Sequence, residues 1–243
     1  MEKSVILKEL SNDEKYYGEY GKQFLSNSDI DTLINNPAGF LDTRQDSINL
    51  MYGRAFHELV MFGTTQYDNY VEASTRNTKI YKEAEAENGL MFLKKEWDEL
   101  NTLVQCAFKN KAFSETVKDA SNNFEVPNIG SLIDDDITWK CKADIVSSEC
   151  IIDIKTTSSI KGFKYSSKSW NYDSQAYIYS SLFQKPMKFL VIDKTTKVVG
   201  LMDVSDEAYD NGRDKVSKAE DNYREYFVNK SKSVDNFTIY GEI

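Results

Sequence analysis

Residues 139–157, WKCKADIVSSECIIDIKTT, constrain the fold more than any other stretch of the chain. Two apolar, β-prone runs flank a short Ser-Ser turn, which predicts neighbouring strands. Side chains two apart on a strand share a face. Asp153 and Lys155 therefore point together, and Ile152 and Ile154 turn to the opposite face, where a helix layer can cover them. Pairing across the turn brings Asp144 toward Asp153. Two carboxylates buried together repel and raise a pKa unless a cation neutralises them, so the pair predicts a divalent-cation site beside a lysine. Lys155 there can orient water or stabilise charge on a phosphate. The competing reading is an ordinary Asp-x-Lys pair on a solvated strand face. The apolar setting Ile-Ile-Asp-Ile-Lys weighs against it, because unpaired buried charge is expensive.

A chain of 243 residues can build one full core, with or without a helical appendage. No run approaches the roughly 18–20 apolar residues that span a bilayer. The N-terminal MEKSVILKELSNDEKYY has no long apolar signal core. Cys106, Cys141 and Cys150 are an odd, scattered set that reads as reduced thiols, although Cys141 and Cys150 can meet across the strand pair. Together these features predict a cytoplasmic protein with no membrane partner. The net charge of −9 argues against a uniformly basic nucleic-acid binder. Its distribution is uneven: from Lys155 to Lys197, eight lysines face two aspartates, a local +6. An acidic body with one basic flank can guide a polyanion to a metal site; solvated lysines without a binding role are the alternative.

Taken in order, residues 1–24 give no clear long element. Ser26 is an N-cap candidate with Asp29 at the third helical position, and Asn35-Asn36-Pro37 closes that short helix. A helix is predicted over Ile48–Phe62, ended by Gly63. It carries His57, the only histidine, as either a hydrogen-bonded structural group or an imidazole aimed at Asp144 and Asp153. Gly53, one turn earlier, is expected to permit close backbone approach. Residues 64–90 read as a polar excursion, a DNA-facing flap or a solvated loop. Helices near Lys94–Phe108 and Lys111–Lys118 follow, and Phe124–Val126 starts the sheet. Asp134, Asp135 and Asp136 offer a metal site or a tight acidic turn, and the turn is the favoured reading. A helix over Trp170–Phe183 sets Tyr172, Gln175 and Tyr179 on one face, as a packing stripe or with polar tips near a phosphate. Phe189–Asp193 and Val198–Val204 are strands, a long helix begins near Asp206, and the tail VDNFTIYGEI can add an edge strand or a protomer contact. No linker or internal repeat stands out. The expected organisation is one domain over 1–243: a helical rim to residue 47, a core over 48–204 with an excursion at 64–122, and a C-terminal helix and tail over 205–243.

The ordered set of residues resembles the PD-(D/E)xK nuclease superfamily. Gly53-Arg54-Ala55-Phe56-His57 resembles its upstream G-x-x-x-H motif, and Lys142-Ala143-Asp144 stands where the P-D-like motif occurs, with Ala143 in place of proline. Asp153-Ile154-Lys155 matches (D/E)-x-K, and Gln175-Ala176-Tyr177-Ile178-Tyr179 matches Q-x-x-x-Y, extended by Tyr172. With SNSDIDTLINNP included, the resemblance covers roughly residues 25–230, and more narrowly the set resembles phage and prophage RecE-like, exodeoxyribonuclease VIII-like exonucleases, related in role to lambda-type exonuclease.

The resemblance implies an α/β fold, a mixed sheet flanked by helices on a restriction-endonuclease-like core. It implies one or two Mg²⁺ ions, with Mn²⁺ as a substitute, held by His57, Asp144, Asp153 and the Ile154 carbonyl. A nitrogen ligand tilts the choice slightly toward Mn²⁺. Lys155 would position and activate water, and Gln175 and Tyr179 would lie beside the substrate backbone or orient the catalytic strand. A further upstream acid is unplaced: Glu58 points to another helical face, and Glu125 can lie at the sheet edge. Arg76 or Arg44 can capture a 5′ phosphate or form surface salt pairs. The implied activity is 5′-to-3′ exonuclease digestion of double-stranded DNA ends, leaving 3′ single strands for an annealing recombinase, by a ring-like homo-oligomer in a bacterial host cytoplasm. Alternatives are a RecB- or Cas4-like recombination nuclease of other polarity, the absence of four cysteines disfavouring an iron–sulfur Cas4 protein, or a catalytically silent DNA-end-binding or assembly module.

Overall fold

A computed structural model describes residues 2–40, 42 and 46–239. Two short helices, α1 (Lys3–Leu10) and α2 (Asp13–Tyr17), occupy the N-terminal stretch where the sequence suggests no long element. Their stability is tertiary: Leu10 and Tyr16 are buried with Ile129, and Ile6, Leu7 and Phe24 pack around them. Helix α3 (Ile30–Asn35) follows a turn in which the Ser26 N–H and hydroxyl both donate to the Asp29 carboxylate and the Asp29 N–H donates to the Ser26 carbonyl. Helix α4 (Ile48–Phe62) begins where the Ser47 hydroxyl accepts the Leu50 N–H and ends at Gly63, whose φ of 75° suits glycine.

Residues 64–90, read as a polar flap or loop, carry secondary structure of their own, and the two helices predicted after them form. The whole excursion at 64–122 holds a two-stranded parallel pair, β1 (Tyr70–Val71) and β2 (Phe92–Leu93), with α5 (Lys79–Asn88), α6 (Lys94–Lys109) and α7 (Lys111–Val117). Tyr81 is fully buried, and its hydroxyl bonds the Met91 backbone, so a tyrosine inside a polar segment closes the excursion. The main sheet contains β3 (Asn123–Gly130), β4 (Trp139–Val146), β5 (Ile151–Thr157), β6 (Met187–Asp193) and β7 (Val199–Asp203), in that spatial order. Only β5 and β6 run parallel; the other neighbours are antiparallel. A parallel pair needs a crossover, supplied here by α8 (Phe163–Ser169) and α9 (Tyr172–Phe183). Asn171, in the left-handed region at φ 55°, separates the two, so α9 starts two residues later than the sequence pattern suggests. Helix α10 (Asp206–Tyr223) packs on α9.

Side-chain alternation divides the core into two layers. Cys141, Ala143, Ile151, Phe189 and Val191 meet Ala176 and Ile178 of α9 and Val216 of α10. Ile145, Ile152, Ile154, Leu190 and Ile192 meet Ala55 and Phe56 of α4 and Leu100 and Leu103 of α6. Each such fully buried aliphatic side chain contributes about 1.5–3 kcal/mol. The fold is therefore α/β, a five-stranded mixed sheet between helical layers, as the strand pattern predicts. Cys141 and Cys150 join opposite layers and remain free thiols, so they do not meet. The described part of the tail forms a short 3₁₀ turn at Val234–Asn236, not an edge strand; residues 240–243 lie outside the described set. Among the described residues no helix is long and apolar enough to cross a membrane.

Candidate active site

The β4–β5 ladder is brief. Ile145 pairs with Ile152 and Val146 with Ile151, and no further pair forms. The next residues outward are Asp144 and Asp153, at the point where the strands part. The alternation of β4 also slips here: Ala143 joins the α9 layer while Ile145, two residues on, joins the α4 layer. Across from Asp144 on β3, between the pairs Phe124–Ile145 and Val126–Ala143, Glu125 adopts a left-handed φ of 51°. Local irregularity of this kind re-aims a side chain beside a site.

Asp144 uses the gap. Its Oδ2 accepts the Ile154 N–H at 2.8 Å, replacing a ladder bond with a side-chain bond. In a strand the N–H and C=O of one residue point the same way, so the Ile154 carbonyl faces this gap too. His57 Nδ1 of α4 lies 3.4 Å from the same Asp144 oxygen. A Cβ on Gly53 would meet nothing within 4 Å, so that glycine serves no close backbone approach here.

Asp153 faces the α9 layer and is 3% exposed. Its Oδ1 accepts from Gln175 Nε2 at 2.6 Å, and its Oδ2 lies 2.6 Å from Lys155 Nζ. That ammonium also sits 4.9 Å from the Tyr172 ring centroid, a cation–π contact. The Tyr172 ring leans on Phe163 and Phe189, both at 5.5 Å. Tyr179 donates its hydroxyl to the Lys142 carbonyl at 3.1 Å, tying α9 to the strand that carries Asp144.

Electrostatics follow from this geometry. Burial pushes the Asp144 carboxyl up; His57 partly opposes the shift, and Asp153 adds to it. Burial alone would lower Lys155, but Asp153, then Tyr172 and Asp144, more than offset it and the ammonium is held charged. Burial, followed by the charge of Asp144, pushes Glu125 up to about 8.

Two carboxylates, an imidazole and a backbone carbonyl form an oxygen-rich donor set that suits a hard divalent cation. The buried Asp153 Oδ2 lacks a well-directed hydrogen bond, its short contact with Lys155 notwithstanding, which leaves it available to a cation. The residues fit such an ion. Among the described residues no three His, Cys, Asp or Glu side chains already converge on one point, because Asp153 is turned to Lys155 and Gln175.

Of the other sequence candidates, Glu58 is engaged by Thr65 and Gln66. Arg76 is held by both Glu96 oxygens, at 2.8 and 2.5 Å, and Arg44 lies outside the described residues. Asp134, in the acidic turn, pairs with Arg224. Sequence reasoning passed over Lys140 and gave Lys142 no role of its own. Both are buried beside the Tyr16 ring, at 4.3 and 4.5 Å; Lys142 pairs with Asp13, and burial pushes Lys140 down to about 8. The spacing Lys140-x-Lys142-x-Asp144 in an apolar strand is the signal that finds them.

Comparison with known proteins agrees with this architecture. Over 96% of this chain and 95% of the other, the fold matches a protein from Eubacterium rectale named "Putative exonuclease", with a TM-score of 0.65 and 17% identity. A phage-related exonuclease from Haemophilus somnus 129PT aligns with 76% of this chain and 100% of its own, at a TM-score of 0.33 and 16% identity. No curated protein sequence matches. A family model matches residues 27–235, a span that contains His57, Asp144, Asp153, Lys155, Gln175 and Tyr179. The chain accordingly belongs to the PDDEXK-like domain family of unknown function, DUF3799.

Proposed function

We propose that this chain is a divalent-metal-dependent deoxyribonuclease that digests double-stranded DNA from its ends. One observation carries the proposal: Asp144, His57, Asp153 and Lys155, from three different elements, gather where β4 and β5 part. Two buried carboxylates beside a held ammonium are costly for stability alone and suited to stabilising charge on phosphate.

In this reading His57, Asp144, Asp153 and the Ile154 carbonyl hold Mg²⁺, or Mn²⁺ in its place. When bound, the ion lowers the pKa of water and neutralises charge on the phosphate. The chain's own groups do the rest. Lys155 places positive charge beside the attacked phosphorus and orients the incoming water. Gln175 fixes the Asp153 carboxylate, and the Tyr172 ring limits where the ammonium can go. Tyr179 works through the β4 backbone and is a positioning residue. The resemblance to RecE-like exonucleases supports a 5′-to-3′ direction, 3′ single-stranded products handed to an annealing recombinase, and a ring-like homo-oligomer.

The test uses duplex DNA labelled separately at each 5′ and 3′ end, with Mg²⁺, Mn²⁺ or EDTA, and Lys155→Ala protein as the control for contamination. The expected result is metal-dependent release of the 5′ label, then a growing 3′ strand, both lost in the variant. Release from 3′ ends or internal cuts keeps the nuclease and rejects the direction. DNA binding without cleavage under any metal rejects the nuclease.

A further inference from the structure

The crossover from β5 to β6 carries a feature that the proposed hydrolytic centre does not use. Between Asp153 and Asp173 the chain has four lysines and no acidic residue, inside a protein of net charge −9. Helix α8 lies in this stretch, with Phe163 turned inward and its end tied to α10 where Lys215 donates to the Lys168 carbonyl. Phe163 is 4% exposed and packs on Tyr172, the ring that meets Lys155. On α8, Lys164, Tyr165 and Lys168 share one side through their three- and four-residue spacings, and Lys161 lies just before the helix. All four are exposed, Tyr165 by 74%. Trp170, directly after α8, is 68% exposed, whereas Trp139 is fully buried. Lys168 reaches Glu207 at 3.4 Å, but both side chains are well exposed, so a phosphate can displace that contact.

Tyr165 stands among these lysines and Trp170 closes the C-terminal end of α8; solvent-facing aromatic rings near lysines are a recognition pattern for unpaired nucleic acid, in which bases stack on the rings and phosphates meet the ammonium groups. Paired bases within a duplex keep their faces covered, so the rings add affinity only where a strand is unpaired. We infer that the outer face of α8, with Trp170 at its end, is a binding surface for single-stranded DNA, carried on the crossover that leaves the strand of Lys155. The assignment rests on the nuclease reading for the identity of the polyanion, and it adds which form of DNA is gripped and where. The lysines attract any phosphate backbone, and Trp170 and Tyr165 select the unpaired one.

The test takes the full-length protein in EDTA, so that metal-dependent cleavage cannot run. It is titrated with a single-stranded oligodeoxynucleotide, a blunt duplex, and a duplex with a short unpaired tail, following tryptophan emission and the anisotropy of labelled DNA. The single strand and tailed duplex are expected to quench emission strongly and the blunt duplex weakly. Trp170→Phe should keep single-strand affinity within about twofold while losing most of the quench. Trp170→Ala should weaken single-strand binding about fivefold or more, the value of one stacked base, and leave blunt-duplex binding within about twofold. Thermal unfolding of both variants should match the parent, because the ring is exposed. Quenching that survives in Trp170→Phe, or an equal loss of affinity for all three DNAs in Trp170→Ala, overturns the inference. Cleavage by the unmodified protein in Mg²⁺ is scored separately. Cleavage without quenching removes this surface and keeps the nuclease, and quenching without cleavage does the reverse.

Discussion

Asp144 and Asp153 stand across one gap and are held by opposite means. Asp153 has an ammonium and an amide within 2.6 Å, both from the α9 side of the sheet or from its own strand. Asp144 has a backbone N–H and, at 3.4 Å, an imidazole that carries charge only when protonated. One carboxylate is compensated by the protein; the other sits in low dielectric with little positive charge and is pushed toward its neutral form. The half of the site built on β5 and α9 is thus preset. On the proposed reading, the half built on β4 and α4 would be completed by the cation, and loading would require ionising Asp144.

The largest effect should come from breaking the preset half. Lys155→Met leaves Asp153 buried without its cation, a change that costs about 3 kcal/mol in comparable pairs. It also removes positive charge from the phosphate, expected to lower cleavage by about 10²–10³-fold. Adding Asp153→Asn to the same chain should restore much of the stability and none of the activity. Urea unfolding and single-turnover release of an end label measure the two. Single-turnover cleavage within tenfold of the parent would remove Lys155 from the chemistry.

The other half should respond to pH and metal. A carboxyl whose folded pKa lies above its unfolded value binds more protons folded than unfolded. Its contribution to stability therefore falls as pH rises through the window between the two. Asp144 and Glu125 are both raised, Glu125 from 4.5 to about 8. In EDTA, the thermal midpoint of the parent should decline relative to Asp144→Asn and Glu125→Gln as pH goes from 5 to 8. Each kcal/mol of difference reads as about 2–4 °C for a chain of this size. Mg²⁺ binds the ionised form, so its stabilisation should be greater at pH 8 than at pH 5.5 in the parent and small in Asp144→Asn. A parent midpoint that rises against both variants over that window would contradict the assignment.

The preset half was the more legible in the sequence. Period-two spacing alone sets Asp153 and Lys155 on one face and Ile152 and Ile154 on the other, and three-and-four spacing aligns Tyr172, Gln175 and Tyr179 on α9. The Asp144 half was legible only in part. Its nearness to Asp153 follows from the turn. The slip of alternation at Ala143–Ile145 and the left-handed Glu125 are properties of the β3–β4 pair, and neither strand carries a glycine at that point to announce them. The helices at residues 3–17 escaped a reading based on local pattern because they are fixed by contacts with Ile129, more than a hundred residues away. Tertiary burial decides such segments, and propensity does not.

Smaller substitutions can separate the two halves. Gln175→Ala removes a hydrogen bond to a charged group, worth about 1.5–3 kcal/mol, on the Asp153 side only. Cleavage should fall about 10- to 100-fold while the Mg²⁺ concentration for half-maximal activity changes little. Tyr179→Phe removes one neutral bond, about 1 kcal/mol, but its partner is the carbonyl of Lys142, two residues before Asp144. Its effect on rate at saturating metal should be the smallest of the series, about fivefold or less, with a clear increase in the Mg²⁺ required. The two variants thus differ in kind as well as size. If Tyr179→Phe lowers the saturated rate without moving the metal requirement, Tyr179 acts on the DNA or on Asp153. The division of the site into a protein-compensated half and a cation-completed half would then have to be redrawn along α9.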